Sequence, residues 1–196
     1  DQLIDVIDIV AAGRSFTALK KDGSTVIWGK IESSTNMKKL LPQLKDVVSV
    51  EYTHGTFAAL KKDGTVVTWG HSSDVYPIRG ALQDVASITT NRCAFAILSP
   101  TGEAHFWGNS TNCGIDWLKQ TGIKGVSSIV SVDTGFLLLR DNAVPQIIVD
   151  DTDYAYMFGF HDAQEILDKY WQEGSVITRG PASFVFTRPD GKVVPV

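Results

Sequence analysis

The sequence predicts an all-β protein, a small β-propeller of about five short repeats with one short helix inserted before the last. Three observations predict it. Phe16-Thr-Ala-Leu-Lys-Lys-Asp22-Gly23 runs on to Trp28-Gly29, and Phe57-Ala-Ala-Leu-Lys-Lys-Asp63-Gly64 runs on to Trp69-Gly70. The interval of twelve positions from Phe to Trp returns between Phe95 and Trp107, and in degraded form between Phe136 and Ile148 and between Phe184 and Val196. Units of roughly forty residues suit four short strands, the size of a propeller blade. A repeat fixes architecture because each unit needs its neighbours to bury its apolar faces.

The units share a grammar. Seven residues before each phenylalanine stands a β-branched residue: Ile9, Val50, Ile88, Ile129, Ile177. Thirteen before stands a large apolar one: Leu3, Leu44, Leu82, Ile123, Trp171. Six after comes a turn: Asp22-Gly23, Asp63-Gly64, Thr101-Gly102, Asn142-Ala143, Asp190-Gly191. Asp-Gly between alternating apolar runs signals a hairpin. Read as a two-residue type I′ turn, Asp63-Gly64 sets Leu60 opposite Val67 and Ala58 opposite Trp69. One sheet face then carries Ala58, Leu60, Val67 and Trp69, and the other Phe57, Ala59, Val66 and Thr68. Both faces are largely apolar, as in a sheet sandwiched between neighbours. The fourth unit lacks both Asp-Gly and Trp-Gly, which marks it as degenerate or specialised.

Each unit reads as a meander. A strand over 46–52 leads to one over 57–62 and another over 65–70, and the segment 75–80 is a candidate fourth strand. The units run over about 1–30, 31–70, 71–108, 109–149 and 150–196, in a single repeat domain spanning 1–196. Five units can close a small ring. An open arc or a stacked solenoid is the alternative, on the reading that the first unit lacks its leading strand. Residues 161–174 have helical logic: Asp162 and Glu165 form a capping box, Ile166, Leu167, Tyr170 and Trp171 an apolar face, and Gly174 a stop.

Composition narrows the functional classes. The 196 residues are 43% hydrophobic and 20% charged, which opposes disorder. The apolar runs are too short to cross a membrane. A net charge of −4 gives no basic face for nucleic acid, although lysines cluster early and acids late. The chain begins at Asp1 without a signal segment, as a processed or excised piece would. Cys93 and Cys113 flank one hairpin and form neither a disulfide framework nor a metal site. A bond between them would place the protein in an oxidising compartment.

No catalytic constellation is evident. His54, His71, His105 and His161 fall at different repeat positions without metal-ligand spacing. There is no nucleophile elbow, no phosphate-cradling loop and no Cys–His pair with an orienting group. Asp150-Asp151-Thr-Asp153 reads as an exposed acidic loop, since calcium needs more oxygens than it offers. No cofactor and no metal are expected. Asn109-Ser-Thr111 matches a glycosylation sequon. The Trp-Gly tryptophans read as core rather than as stacking platforms.

The variable positions are the turns. In a meander alternate turns share an edge. Gly13-Arg14, His54-Gly55, Asn91-Arg92 and Asp133-Thr134 therefore lie on the same side as the loops after each Trp-Gly. Variable loops on a constant frame carry specificity. The candidate binding residues are Arg14, His54, His71, Arg92, Asn109 and Thr111.

Val-x-x-Ile, then Phe-x-Ala-Leu-Lys-x-Asp-Gly, then Val-x-x-Trp-Gly resembles the regulator-of-chromosome-condensation family of propeller repeats. The residues carrying it lie over 47–50, 57–64 and 66–70, with clear copies over 6–29 and 85–108. The family's repeat is usually longer, with a Gly-Gln-Leu-Gly type loop after Trp-Gly, and its rings usually have seven blades. The chain therefore looks like a short-repeat, bacterial branch. Members of the family act as exchange factors for small GTPases, as chromatin-binding modules, or as protein-interaction propellers. The resemblance implies a non-enzymatic propeller that holds a partner protein such as a receptor or host factor. The alternative is an exchange factor for a small GTPase, possible as a secreted effector. A lectin ranks third, because the loops after Trp28, Trp69 and Trp107 do not repeat, so a glycan stays a lesser partner. The localisation reading leans towards secreted or cell-surface.

Overall fold

The computed structural model describes residues 3–31, 35–53, 55–70, 83–92, 94–108, 122–132, 135–148, 162–180 and 184–196. Five three-stranded antiparallel sheets follow one another along the chain, each a meander with its strands in sequence order. Blade one holds β1 (Val6–Ala12), β2 (Ser15–Lys20) and β3 (Thr25–Gly29). Blade two holds β4 (Val47–Tyr52), β5 (Thr56–Lys61) and β6 (Val66–Gly70). Blade three holds β7 (Ser87–Thr90), β8 (Ala94–Leu98) and β9 (Ala104–Gly108). Blade four holds β10 (Ser128–Val132), β11 (Gly135–Leu139) and β12 (Gln146–Ile148). Blade five holds β13 (Val176–Arg179), β14 (Phe184–Thr187) and β15 (Val193–Pro195). The architecture is that of a small all-β propeller. The first unit possesses its leading strand, β1, contrary to the expectation. The candidate fourth strand at 75–80 lies outside the described residues.

The hairpin register differs from the two-residue reading by one position. Phe57 pairs with Trp69, Ala59 with Val67 and Leu60 with Val66. The connection is three residues long. Gly64 N–H donates to the Lys61 carbonyl, and Lys61 N–H to the Thr65 carbonyl, both at 2.9 Å. Only Gly64 takes a positive φ, +79°, so this is a type I turn closed by a left-handed glycine. Asp63 secures it: one carboxylate oxygen accepts from Thr65 N–H at 3.0 Å and from the Thr65 hydroxyl at 2.6 Å. The same bonds recur at Asp22 with Ser24. The corrected register moves Trp69 onto the face of Phe57, away from Ala58 and Leu60.

That shift decides what each face does. Phe57 and Trp69 stack across the strands with centroids 5.2 Å apart, as do Phe16 with Trp28 and Phe95 with Trp107. The face bearing the pair points to the preceding blade, and we call it the front. Phe57, Ala59 and Trp69 pack on Ala12 and Leu19 of blade one. Phe95, Ile97 and Trp107 pack on Ala58, Leu60 and Val66 of blade two. Phe136, Leu138 and Ile148 pack on Ala94, Ala96 and Phe106 of blade three. Phe184, Phe186 and Val194 pack on Val132 and Leu137 of blade four. Every junction is therefore front to rear.

Backbone bonds stitch the junctions. The turn carbonyls of Gly23, Gly64 and Gly102 accept from the Val47, Val85 and Val126 amides at 3.0, 2.9 and 3.0 Å. Just before those valines the chain is left-handed: Asp46 and Asp84 have φ of +57° and +56°, and Gly125 takes the same place with +73°. Asp and Gly alternate there because both tolerate that conformation. The first strands of blades one to four lie against one another in succession, as the inner strands of the array.

Among the described residues two α-helices occupy connections. The one-turn α1 (Met37–Leu40) continues into a 3-10 turn and buries Leu40 and Leu44 against the front of blade two. Sequence reasoning did not anticipate it. The expected helix before the last blade is α2 (Ala163–Tyr170). Ile166, Leu167, Tyr170 and Trp171 face the core between blades four and five. The capping box fails, since the Asp162 side chain makes no cap hydrogen bond. Gln164 anchors the helix instead. Its amide oxygen accepts from Ile147 N–H at 2.9 Å and its amide nitrogen donates to the Pro145 carbonyl at 3.1 Å. One side chain thus engages the outer edge of β12 as a fourth strand would.

Candidate partner-binding edge

The edge candidates rest on the turns between first and second strands and on the exits of the third. In blade one Ala12 pairs with Ser15, leaving Gly13-Arg14 as a two-residue turn with Gly13 at φ +63°. Lys30 N–H donates to the Arg14 carbonyl at 2.9 Å, and the Ser15 hydroxyl donates to the Lys30 carbonyl at 2.5 Å. The turn and the segment leaving Trp28-Gly29 therefore stand side by side. The glycine of Trp-Gly is required by this approach. At Gly29 and Gly70, with φ of +96° and +124°, an added Cβ would collide with the carbonyls of Arg14 and Gly55.

Blade two repeats the arrangement with a different turn. Gly55 N–H donates to the Thr53 carbonyl at 2.7 Å, and Thr53 itself is buried. In blade three Asn91 does two jobs. Its side-chain oxygen accepts from Ala94 N–H at 2.8 Å, and its nitrogen donates to the Gly135 carbonyl of blade four at 3.0 Å. Sequence reasoning missed this tie. The Asn-Arg dipeptide at the turn signalled an Asx-type bond but not the reach to the next blade.

Arg14 and Arg92 are exposed on this edge, on the first and third blades, with the turn of blade two between them. His54, His71, Asn109 and Thr111 lie outside the described residues, as do Cys93, Cys113 and the Asp150–Asp153 cluster. His105 is half-buried within β9, with Nε2 3.3 Å from Glu103 Oε1.

The inner strands carry the one carboxylate pushed upwards among the described residues. Burial raises the Glu51 carboxyl above its usual range, with the Asp8 charge adding to it and the Thr90 hydroxyl at 3.4 Å opposing it. Glu51 and Thr90 belong to blades two and three, so this contact bridges a junction. On the turns the opposite holds. Hydrogen bonds from Thr65 pull Asp63 down to about 2, and those from Ser24 lower Asp22. Among the described residues no three His, Cys, Asp or Glu side chains converge as metal ligands. No described helix is long and apolar enough to cross a membrane. Among the described residues the edge offers hydrogen-bonding backbone groups and two exposed arginines, Arg14 and Arg92.

Among known proteins, no family model and no curated sequence matches the chain. Solved structures do. The complex of Kap60 with yeast RCC1 (Prp20) aligns with a TM-score of 0.62 at 16% identity, over 96% of this chain and 55% of that one. The ectodomain of the Physcomitrella patens receptor kinase CR4 aligns with 0.59 at 14%, over 97% and 50%. Prp20p of Saccharomyces cerevisiae, described for binding Gsp1p and histones, aligns with 0.57 at 17%, over 96% and 56%. The chain spans about half the length of the solved chains it resembles. At these identities the likeness establishes an RCC1-like propeller fold.

Proposed function

We propose that this chain is a non-enzymatic recognition module that holds a partner protein through its variable turn edge, in a short-repeat, bacterial branch of the propeller family. One observation carries the reading. The hairpin frame of blades one to three keeps its Phe, turn-glycine and Trp-Gly positions, while the turns at one edge change from Gly13-Arg14 to Asn91-Arg92 and present exposed arginines. A constant scaffold with changing exposed loops is how binding surfaces are diversified. Arg14 and Arg92 supply bidentate donors for carboxylates on the partner, and His54, His71, Asn109 and Thr111 complete the edge in this reading. A receptor or host factor fits a secreted or surface setting.

Exchange of nucleotide on a small GTPase is the second reading, favoured by the likeness to Prp20p, whose solved structure is described with Gsp1p binding. Affinity capture from a eukaryotic lysate stripped of magnesium separates the two, with an Arg14→Glu/Arg92→Glu variant in parallel. The expected result is a protein retained by the wild type, lost by the variant and indifferent to GTP. A small GTPase released by excess GTP would favour exchange. Equal retention by both proteins would remove the edge from the account.

A further inference from the structure

We propose that the cavity between the hairpin turn of blade three and the leading segment of blade four is a binding site for a lysine side chain of a partner protein. It lies at the edge opposite the Arg14 and Arg92 turns, so it stands or falls apart from the reading of that edge. The cavity measures about 510 Å³ and opens to solvent, and Ser99, Thr101, Gly125, Ser127 and Asp141 line it.

The repeat explains why space is left at this junction. Where blades one and two meet, the corresponding positions hold Lys20, Asp46, Val48 and Lys62. Here they hold Ser99, Gly125, Ser127 and Asp141, each with a smaller side chain. A Cβ built on Gly125 would meet nothing within 4 Å. The backbone closes as it does elsewhere, with Val126 N–H donating to the Gly102 carbonyl at 3.0 Å. Side-chain volume alone distinguishes the site.

The polar groups facing this space are acceptors. The Ser127 hydroxyl donates its proton to the Leu139 carbonyl at 3.1 Å. The Ser99 and Thr101 hydroxyls share a hydrogen bond of 2.9 Å, and Ser99 Oγ also accepts from Glu103 N–H at 2.9 Å. Asp141 is exposed, and its carboxylate makes no hydrogen bond or ion pair among the described residues. Its neighbour Arg140 donates instead to Gln146 at 2.7 Å. Hydroxyl lone pairs around an unpaired carboxylate call for a cation that donates. The other turns do not offer this. Lys21 and Lys62 hold the place of Asp141 in blades one and two, and Asp22 and Asp63 are tied to Ser24 and Thr65. The acceptors come from three separate segments of chain rather than one planar group. That arrangement suits the three rotatable donors of an ammonium better than the flat fork of a guanidinium.

A nuclear magnetic resonance titration of the isotope-labelled full chain with Nα-acetyl-lysine methylamide tests this. The Gly102, Gly125 and Ser127 amides should show saturable shifts with a Kd on the order of 1–10 mM. The shifts should weaken as salt is added. The norleucine counterpart, which lacks the charge, should give none. Asp141→Asn should weaken binding about tenfold, the loss of a charge-assisted hydrogen bond. Ser127→Val and Asp141→Lys copy residues that blade two already carries, and each should abolish binding while circular dichroism shows an intact fold. The absence of saturable shifts up to about 50 mM of the lysine derivative would overturn the proposal. So would undiminished binding by Asp141→Asn, or tighter binding of the arginine counterpart.

Discussion

Blades one and three keep the same Phe, turn-glycine and Trp-Gly positions and meet different fates. Phe95 is 0% exposed and Trp107 1%, while Phe16 is 37% exposed. Yet the two stacks are almost the same object, 4.9 Å and 10° in blade three and 5.4 Å and 11° in blade one. The cross-strand pair is thus set by the hairpin itself, through register and the left-handed glycine, and does not wait for a neighbour. Burial is the neighbour's contribution. Stability in a repeat array divides into intrinsic blade terms and junction terms, and the front of blade one is exposed in this structure.

The sharpest way to break this comparison is to truncate the pair in each blade. Phe95→Ala should cost about 3–5 kcal/mol in urea unfolding, the range for a fully buried aromatic, and Phe16→Ala about 1 kcal/mol. Equal losses would mean that the front of blade one is covered in solution. Next comes the Trp-Gly glycine. Gly70→Ala forces a Cβ against the Gly55 carbonyl at a φ of +124°. It should cost about 2–3 kcal/mol. Gly13→Ala, with open space around it at φ +63°, should cost about 1 kcal/mol, measured the same way.

Gln164→Ala should cost about 1–2 kcal/mol, because it leaves Ile147 N–H and the Pro145 carbonyl without their partner. Amide exchange confined to β12 would report it. The smallest effect concerns pH. Asp63 is held at about 2 in the folded chain against an ordinary value of 3.8, so it stabilises the fold above pH 3.8. That contribution is lost as pH falls from 3.8 to about 2. Asp63→Ala should flatten the acid limb of the stability profile in that window, measured by thermal unfolding at a series of pH values. Being exposed, the group contributes little, so a loss as large as that of Gly70→Ala would contradict the assignment.

Much of the frame was legible from spacing alone. The Phe-to-Trp interval located the five hairpins, and the apolar character of both faces located the sandwiching. The register was not read correctly, because Lys-Asp-Gly fits a two-residue and a three-residue turn equally well. The deciding signal was present: with an interval of twelve, only the three-residue turn sets Phe57 opposite Trp69. The hydroxyl after two of the three Asp-Gly pairs, Ser24 and Thr65, was a second clue to an Asx-type turn. Helix α1 escaped notice because one turn is too short for periodicity to show. The capping box misled because helix α2 is oriented by Gln164, a tertiary contact no local pattern reveals. Of the edge, Arg14 and Arg92 came from their place in the turns, whereas the bridge from Asn91 to Gly135 depends on how two blades meet.

The measurement that tests the central claim most directly is blade-resolved hydrogen exchange. The account predicts weak protection in β1–β3, whose front is exposed, and strong protection in β7–β9, which is packed on both faces. Equal protection in the two blades would contradict it.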